Sequence, residues 1–223
     1  MNWQPIRSYV LRAGRITRAQ RRALDELLPR WGIAFAPAPL DLDRVFGRRA
    51  LRVLEIGFGN GDTLIELAAA SLGTDYLGVE VHAPGIGHCL LGIESRGLDN
   101  VRLIPHDAVE VLEYQLPPAS LDEVLLYFPD PWPKKRHHKR RIVQPAFASL
   151  VASRLKQGGV FRLATDWEPY AQWILEVLNG MAEFRNAALG SRWIERPPRS
   201  STRFESRGKR LGHPVFDLEY VRR

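Results

Sequence analysis

The chain has 223 residues, a formal net charge of +7 and a single cysteine. That length suits one α/β domain with an extension and is enough to bury a sizeable core, while one thiol excludes an intrachain disulfide framework and suits a reducing compartment. The positive balance points to a polyanionic partner, which for a soluble protein usually means nucleic acid. The start, MNWQPIRSYVLRAGR, lacks an apolar signal-peptide core and no apolar run approaches membrane-spanning length, so a cytoplasmic protein without a membrane partner is expected.

Residues 1–50 read as a basic N-terminal extension. Thr17 followed by Gln20 is a capping-box pattern, and Ala23, Leu24, Leu27 and Leu28 then recur at helical spacing until Pro29. Arg7, Arg12, Arg15, Arg18, Arg21 and Arg22 line its approach and polar side, either as a solvated charged face or as phosphate contacts for RNA. The FAPAPLDLDRVFG that follows is Pro-rich and reads as an extended connector.

Residues 51–62, LRVLEIGFGNGD, give a buried strand through Val53, Leu54 and Ile56 and then a tight turn at Gly57, Gly59 and Gly61, with Asp62 placed to cap the next helix. The dinucleotide fingerprint needs its third glycine where Asp62 stands, and a phosphate loop needs G-x-x-x-x-G-K-[ST]; neither fits. Glu55 aims a carboxylate at the ligand, which suits a cation rather than a pyrophosphate. The signature E-x-G-x-G-x-G resembles the first motif of S-adenosylmethionine-dependent methyltransferases.

After a helix face of Leu64, Ile65, Leu67 and Ala68, Asp75–Val81 forms a second strand carrying Glu80, 19 residues beyond Gly61. An acid at that separation, at the end of the second strand, is where a ribose diol is held. A helix around Gly87–Arg96 and a strand Val101–Ile104 lead to Asp107, placed to accept from an adenine amino group. Open α/β sheets bind ligands outside the carboxyl ends of their strands, so three acids at three successive strand ends form one constellation.

The fourth strand, Leu121–Phe128, runs into Pro129-Asp130-Pro131-Trp132-Pro133, a loop stiffened by restricted φ that can hold a carboxylate and an aromatic face over a cofactor. Next come Lys134-Lys135-Arg136-His137-His138-Lys139-Arg140-Arg141, six of eight residues basic. Beside a rigid loop this run is placed to draw phosphates in through Lys135, Arg136, Lys139, Arg140 and Arg141. Arg141–Lys156 reads as helix ended by Gln157-Gly158-Gly159, and Val160–Ala164 as a fifth strand delivering Thr165-Asp166-Trp167 to the same edge. Tyr170–Leu178 is an amphipathic helix whose Trp173, Ile174 and Val177 read as core. Ser191–Gly212, rich in Arg, Ser and Pro, reads as mobile without RNA, and Val215–Val221 as a last strand. Cys89, in apolar surroundings, is expected in the core rather than as an activated thiol, and the six histidines show no metal-ligand spacing, so no metal is expected.

Together, EIGFGNG, GVEVH and FPDPWPKKRHHKRR closely resemble the bacterial tRNA (guanine-N7-)-methyltransferases, from RSYVLRAGRIT through Thr202-Arg203-Phe204-Glu205. The resemblance implies a Rossmann-like class I methyltransferase fold in residues 51–223, a mostly parallel twisted sheet with helices on both faces. It implies S-adenosylmethionine as cofactor and methylation of a tRNA variable-loop guanosine, conventionally position 46. Carried over residue by residue, it assigns the cofactor to Glu55, Gly57, Gly59, Gly61, Glu80, Asp107 and Asp130. Asp130 is also the catalytic candidate, and Lys134, Asp166, Thr202, Arg203, Phe204 and Glu205 are substrate-binding candidates. One departure stands out: the family commonly has Lys where this chain has Arg203, which keeps charge but not hydrogen-bond geometry. Guanine N7 has a lone pair and no proton to lose, so the chemistry needs neither a nucleophilic cysteine nor a general base. Two rivals account for some of these features. A small-molecule methyl- or aminopropyltransferase explains the glycines and acids but not the basic loop, and an RNA-binding module explains the charge but not the acids.

Overall fold

The computed structural model describes residues 8–9, 14–188, 192–195, 205 and 214–223. Thr17 accepts from the Gln20 amide at 3.2 Å while the Gln20 side chain accepts from the Thr17 amide at 2.9 Å, completing the capping box ahead of α1 (Arg18–Arg22). The helical path does not stop at Pro29. It widens through a π-type turn at Ala23–Leu27 and continues as α2 (Leu28–Trp31). Pro29 sits near the start of α2, immediately after the widened turn. The expected extended connector also contains a helix, α3 (Leu42–Phe46), because Asp41 accepts from the Arg44 amide at 3.0 Å and Gly47, at φ +70°, ends the turn.

Among the described residues seven strands then form one sheet in the order β3-β2-β1-β4-β5-β7-β6. In chain order the elements are β1 (Leu51–Ile56), α4 (Asp62–Ala70), β2 (Thr74–Val79), α5 (Ala83–Arg96), β3 (Val101–Ile104), α6 (Ala108–Glu110), β4 (Leu121–Tyr127), α7 (Pro145–Arg154), β5 (Leu155–Thr165), α8 (Glu168–Asn179), β6 (Phe184–Asn186) and β7 (Phe216–Arg222). The first five strands are mutually parallel, and β7 runs antiparallel to both β5 and β6. The chain leaves β1 toward β2 and β3 and returns to its other side with β4, which makes the β1–β4 boundary the point where strand order reverses. Ligands of open α/β sheets sit above such a point.

Alternate strand residues feed two cores. Leu54, Ile56, Leu77, Val124 and Leu126 pack with Phe147, Val151, Tyr170 and Ile174 on one face. Val53, Tyr76 and Leu125 pack with Leu64, Leu90 and Ile93 on the other. Because both faces are covered, the parallel strands read as nearly continuous apolar runs. The N-terminal residues join both cores: Ala23, Leu27 and Trp31 are buried in the second, Leu42 is buried in the first, the Trp31 indole donates to the Leu98 carbonyl at 2.9 Å, and the Ile33 amide donates to Leu103 at 2.8 Å.

Two boundaries differ from expectation. α7 begins only at Pro145, and the chain is already extended at Leu155, so Gly158, at φ +77°, lies in an irregularity within β5 rather than ending a helix. Three-residue β6 is too short to leave an alternation in the sequence. Among the described residues no helix is long and apolar enough to cross a membrane.

Candidate active site

β1 delivers the glycine turn to the reversal point. Gly57, Gly59 and Gly61 hold φ of +70°, +58° and +80°, conformations that L side chains rarely adopt. A Cβ placed on Gly57 or Gly59 would meet nothing within 4 Å, so these two backbones border open space, whereas one on Gly61 would lie 2.4 Å from Cys89 Sγ. The expected cap is therefore corrected: Gly61 occupies the N-cap position, and Asp62 is the first residue of α4. Beneath the turn, Phe58 is buried against the backbone of Gly78. Cys89 is fully buried, and burial raises its thiol well above the ordinary value, with the charges of Glu55 and Asp62 adding to the effect.

Three carboxylates stand on neighbouring strands. Glu55, near the end of β1, is 3% exposed. Glu80 follows β2 directly and accepts from Gly59 N at 2.9 Å, Val81 N at 2.7 Å and His82 N at 3.0 Å, so it ties the glycine turn to the next strand. Asp107, beyond β3, caps α6 by accepting from Val109 N at 2.9 Å.

β4 leads into the proline-rich loop through Phe128 at φ +52°, and Trp132 within the loop sits at φ +43°. Two bulky residues in left-handed backbone each cost roughly 1–3 kcal/mol, so surrounding contacts must hold them. Phe128 N donates to Ala164 O of β5 at 2.8 Å, and the Trp132 indole donates to Ser8 O at 3.1 Å. Between them Asp130 is exposed, and its charge reinforces the rise that burial imposes on the Tyr170 hydroxyl.

The basic run is a 3-10 turn, Lys135–Arg140. Lys134, Lys135, Arg136 and Lys139 are exposed, and the Arg140 guanidinium lies 5.0 Å from the Trp132 ring. Burial first, and then the neighbouring Arg136 and Arg140, hold His137 below the ordinary imidazole range. Arg141 is the correction to the expected RNA-contacting set. It is 3% exposed, donates to Pro131 O at 3.0 Å, and stacks over Tyr170 and Trp173 at 5.0 and 5.5 Å. A guanidinium committed in this way braces the loop from inside and is not presented to phosphates.

Asp166, half-buried, follows β5, the strand hydrogen-bonded to β4, so it stands one strand from the Asp130 loop. Glu205 is fully buried. Thr202, Arg203 and Phe204 lie outside the described residues, as do Arg7, Arg12 and most of the expected mobile tail. Sequence reasoning missed the contact of Cys89 with the glycine turn, the bracing role of Arg141 and the exposure of Trp167. Only Trp167 left a signal, as an aromatic directly after a strand-end acid. Among the described residues no group of three His, Cys, Asp or Glu is arranged to hold a metal ion.

A sheet in the order β3-β2-β1-β4-β5-β7-β6 with β7 antiparallel, reversing at an open glycine turn, has the architecture of the class I S-adenosylmethionine-dependent methyltransferases. Residues 49–218 match the family described as "Putative methyltransferase". The chain is 56% identical over 226 residues to a tRNA (guanine-N(7)-)-methyltransferase of Methylococcus capsulatus, covering 100% of this chain and 97% of that one. It is 54% identical over 222 residues to the protein of the same name from Alkalilimnicola ehrlichii, covering 99% and 94%. An rRNA methylase from Streptococcus thermophilus shares the fold at 14% identity and a TM-score of 0.52, over 78% of this chain and 87% of that one. The chain belongs to the tRNA (guanine-N7-)-methyltransferase family.

Proposed function

We propose that this protein methylates N7 of the variable-loop guanosine at position 46 of tRNA in the cytoplasm, using S-adenosylmethionine. The observation that carries the reading is the open side of Gly57 and Gly59, where a Cβ would project into free space beside a buried carboxylate. That cradle fits a nucleoside cofactor bearing a cation and no phosphate. When bound, the cofactor supplies an electrophilic methyl group on a positively charged sulfur.

The chain's own residues would then do the following. Glu55 faces the cationic amino-acid end. Glu80, already fastened to Gly59 N, presents its remaining acceptor capacity to ribose hydroxyls, and Asp107 accepts from the adenine amine. Asp130, fixed between two prolines, orients the reactants and stabilises positive charge as it moves onto the purine. Lys134, Asp166 and the Thr202–Glu205 segment position the guanosine, while Lys135, Arg136, Lys139 and Arg140 meet phosphates. Because N7 carries no proton, catalysis is alignment plus electrostatics. Alignment contributes several kcal/mol, with about 7–11 as the ceiling for ideal cases.

The test is incubation with labelled S-adenosylmethionine and unmodified tRNA, followed by mapping of the modified base. Label confined to N7 of the variable-loop guanosine supports the reading; label elsewhere, or none, refutes it.

A further inference from the structure

Beside Asp166, on the side formed by the start of α8, lies a cavity of about 340 Å³. Its walls are Pro133, Trp167, Pro169 and Trp173, and its polar lining is His138, Arg141, Gln172 and Glu176. Trp167 is 38% exposed, one of few large apolar side chains left in solvent. Trp173 is fixed by donating its indole N–H to Val143 O at 2.7 Å. Trp173 also packs against the first core and beneath Arg141, so it forms a rigid wall of the pocket while Trp167 is its exposed face.

The polar lining mixes donors and acceptors. Gln172 donates one of its two amide N–H groups to Glu168 at 3.3 Å, which leaves the other N–H and the carbonyl oxygen for a ligand. Glu176 is exposed, and no cation among the described residues pairs with it. A pocket with aromatic walls and both donors and acceptors at its rim suits the face and polar edge of a nucleobase. Gln172 and Glu176 also line a second cavity of about 310 Å³ with Asn179, Asn186 and Arg192, so the polar track continues along α8. Lys134 and Lys135 stand exposed at the other end, next to Pro133. Cations at both ends of an aromatic pocket are what a single strand of RNA requires, because its phosphates flank every base.

The geometry points to a second nucleobase site: the Trp167 pocket takes an unstacked base next to the methylated guanosine on the same tRNA. This inference rests on the proposed function and adds a specificity contact to it. Holding the neighbour splays the loop, which exposes the target guanine edge and fixes the strand's direction across the site.

The experiment compares wild type, Trp167→Ala, Trp167→Phe and Gln172→Ala on intact tRNA transcripts and on transcripts with one abasic nucleotide within two positions of the target. The readouts are kcat/KM and, separately, cofactor affinity. Trp167→Ala should raise KM for intact tRNA by roughly 5- to 100-fold, the range for loss of one base stack, with cofactor affinity unchanged. Trp167→Phe should recover most of that loss and Gln172→Ala should lose less. One abasic position should penalise wild type as much as the Ala substitution does, and the two changes combined should cost no more than either alone. Equal activity of Trp167→Ala and wild type on intact tRNA, additive losses at every abasic position, or a Trp167→Ala loss that Phe does not recover overturns the pocket. A wild-type protein that leaves the intact transcript unmethylated overturns the function itself, and the pocket's role with it.

Discussion

Replacing Arg141 with Met removes the charge but keeps the length of the stem. The loss comprises a charge-assisted bond to the Pro131 carbonyl, about 1.5–3 kcal/mol, and two cation–ring contacts of about 0.5–2 kcal/mol each. Against this stands the desolvation that lowers the guanidinium's proton affinity, which the neutral side chain avoids. A net destabilisation of about 2–4 kcal/mol follows, and for a chain of this size that is a fall in Tm of about 5–15 °C. Lys should not rescue it, because an ammonium lacks the planar fork that donates and stacks at once. Once the loop is released, the left-handed Phe128 and Trp132 relax and Asp130 moves. A shift of about 1 Å is enough for a 10²-fold loss of kcat. Calorimetry, turnover at saturating tRNA and the salt dependence of tRNA binding give the answer together. The slope of log K against log salt should match wild type. A variant with normal Tm and turnover but a slope reduced by about 1 would mean that Arg141 neutralises a phosphate, and the bracing argument would fail.

Asp130→Ala should lower turnover about 10²-fold or more at saturating tRNA, as for loss of one preorganised electrostatic group, with the fold unchanged by circular dichroism; near-normal turnover removes Asp130 from the mechanism. Burial raises the Cys89 thiol above 9.0, so above that pH the unfolded chain loses a proton that the folded one keeps, and stability falls as pH rises. Cys89→Ala should flatten the decline by at most about 1.4 kcal/mol per pH unit while keeping activity; identical pH slopes in denaturant titrations would contradict the assignment. Trp31→Ala should destabilise the whole chain by about 3–5 kcal/mol in a single transition. A separate early transition of the N-terminal residues would show that they do not share the core.

The sequence alone determined the strand–glycine turn, the acids Glu55, Glu80 and Asp107 near successive strand ends, and the proline-stiffened Asp130 loop. Each is a local property, set by alternation, spacing or the φ restriction of Gly and Pro, and a local property survives in any window long enough to contain it. Tertiary structure alone decided which members of a charge run face water. Lys135 and Arg141 are indistinguishable as letters in a basic octet, yet one is exposed and the other is 3% exposed beneath Pro131, because α8 brings Tyr170 and Trp173 against it. Likewise Cys89 and Gly61 meet only because α5 packs on the glycine turn, and β6 exists only because β7 offers it an edge. Contacts between residues far apart in the chain depend on where packing brings two surfaces together, and no local pattern carries that information.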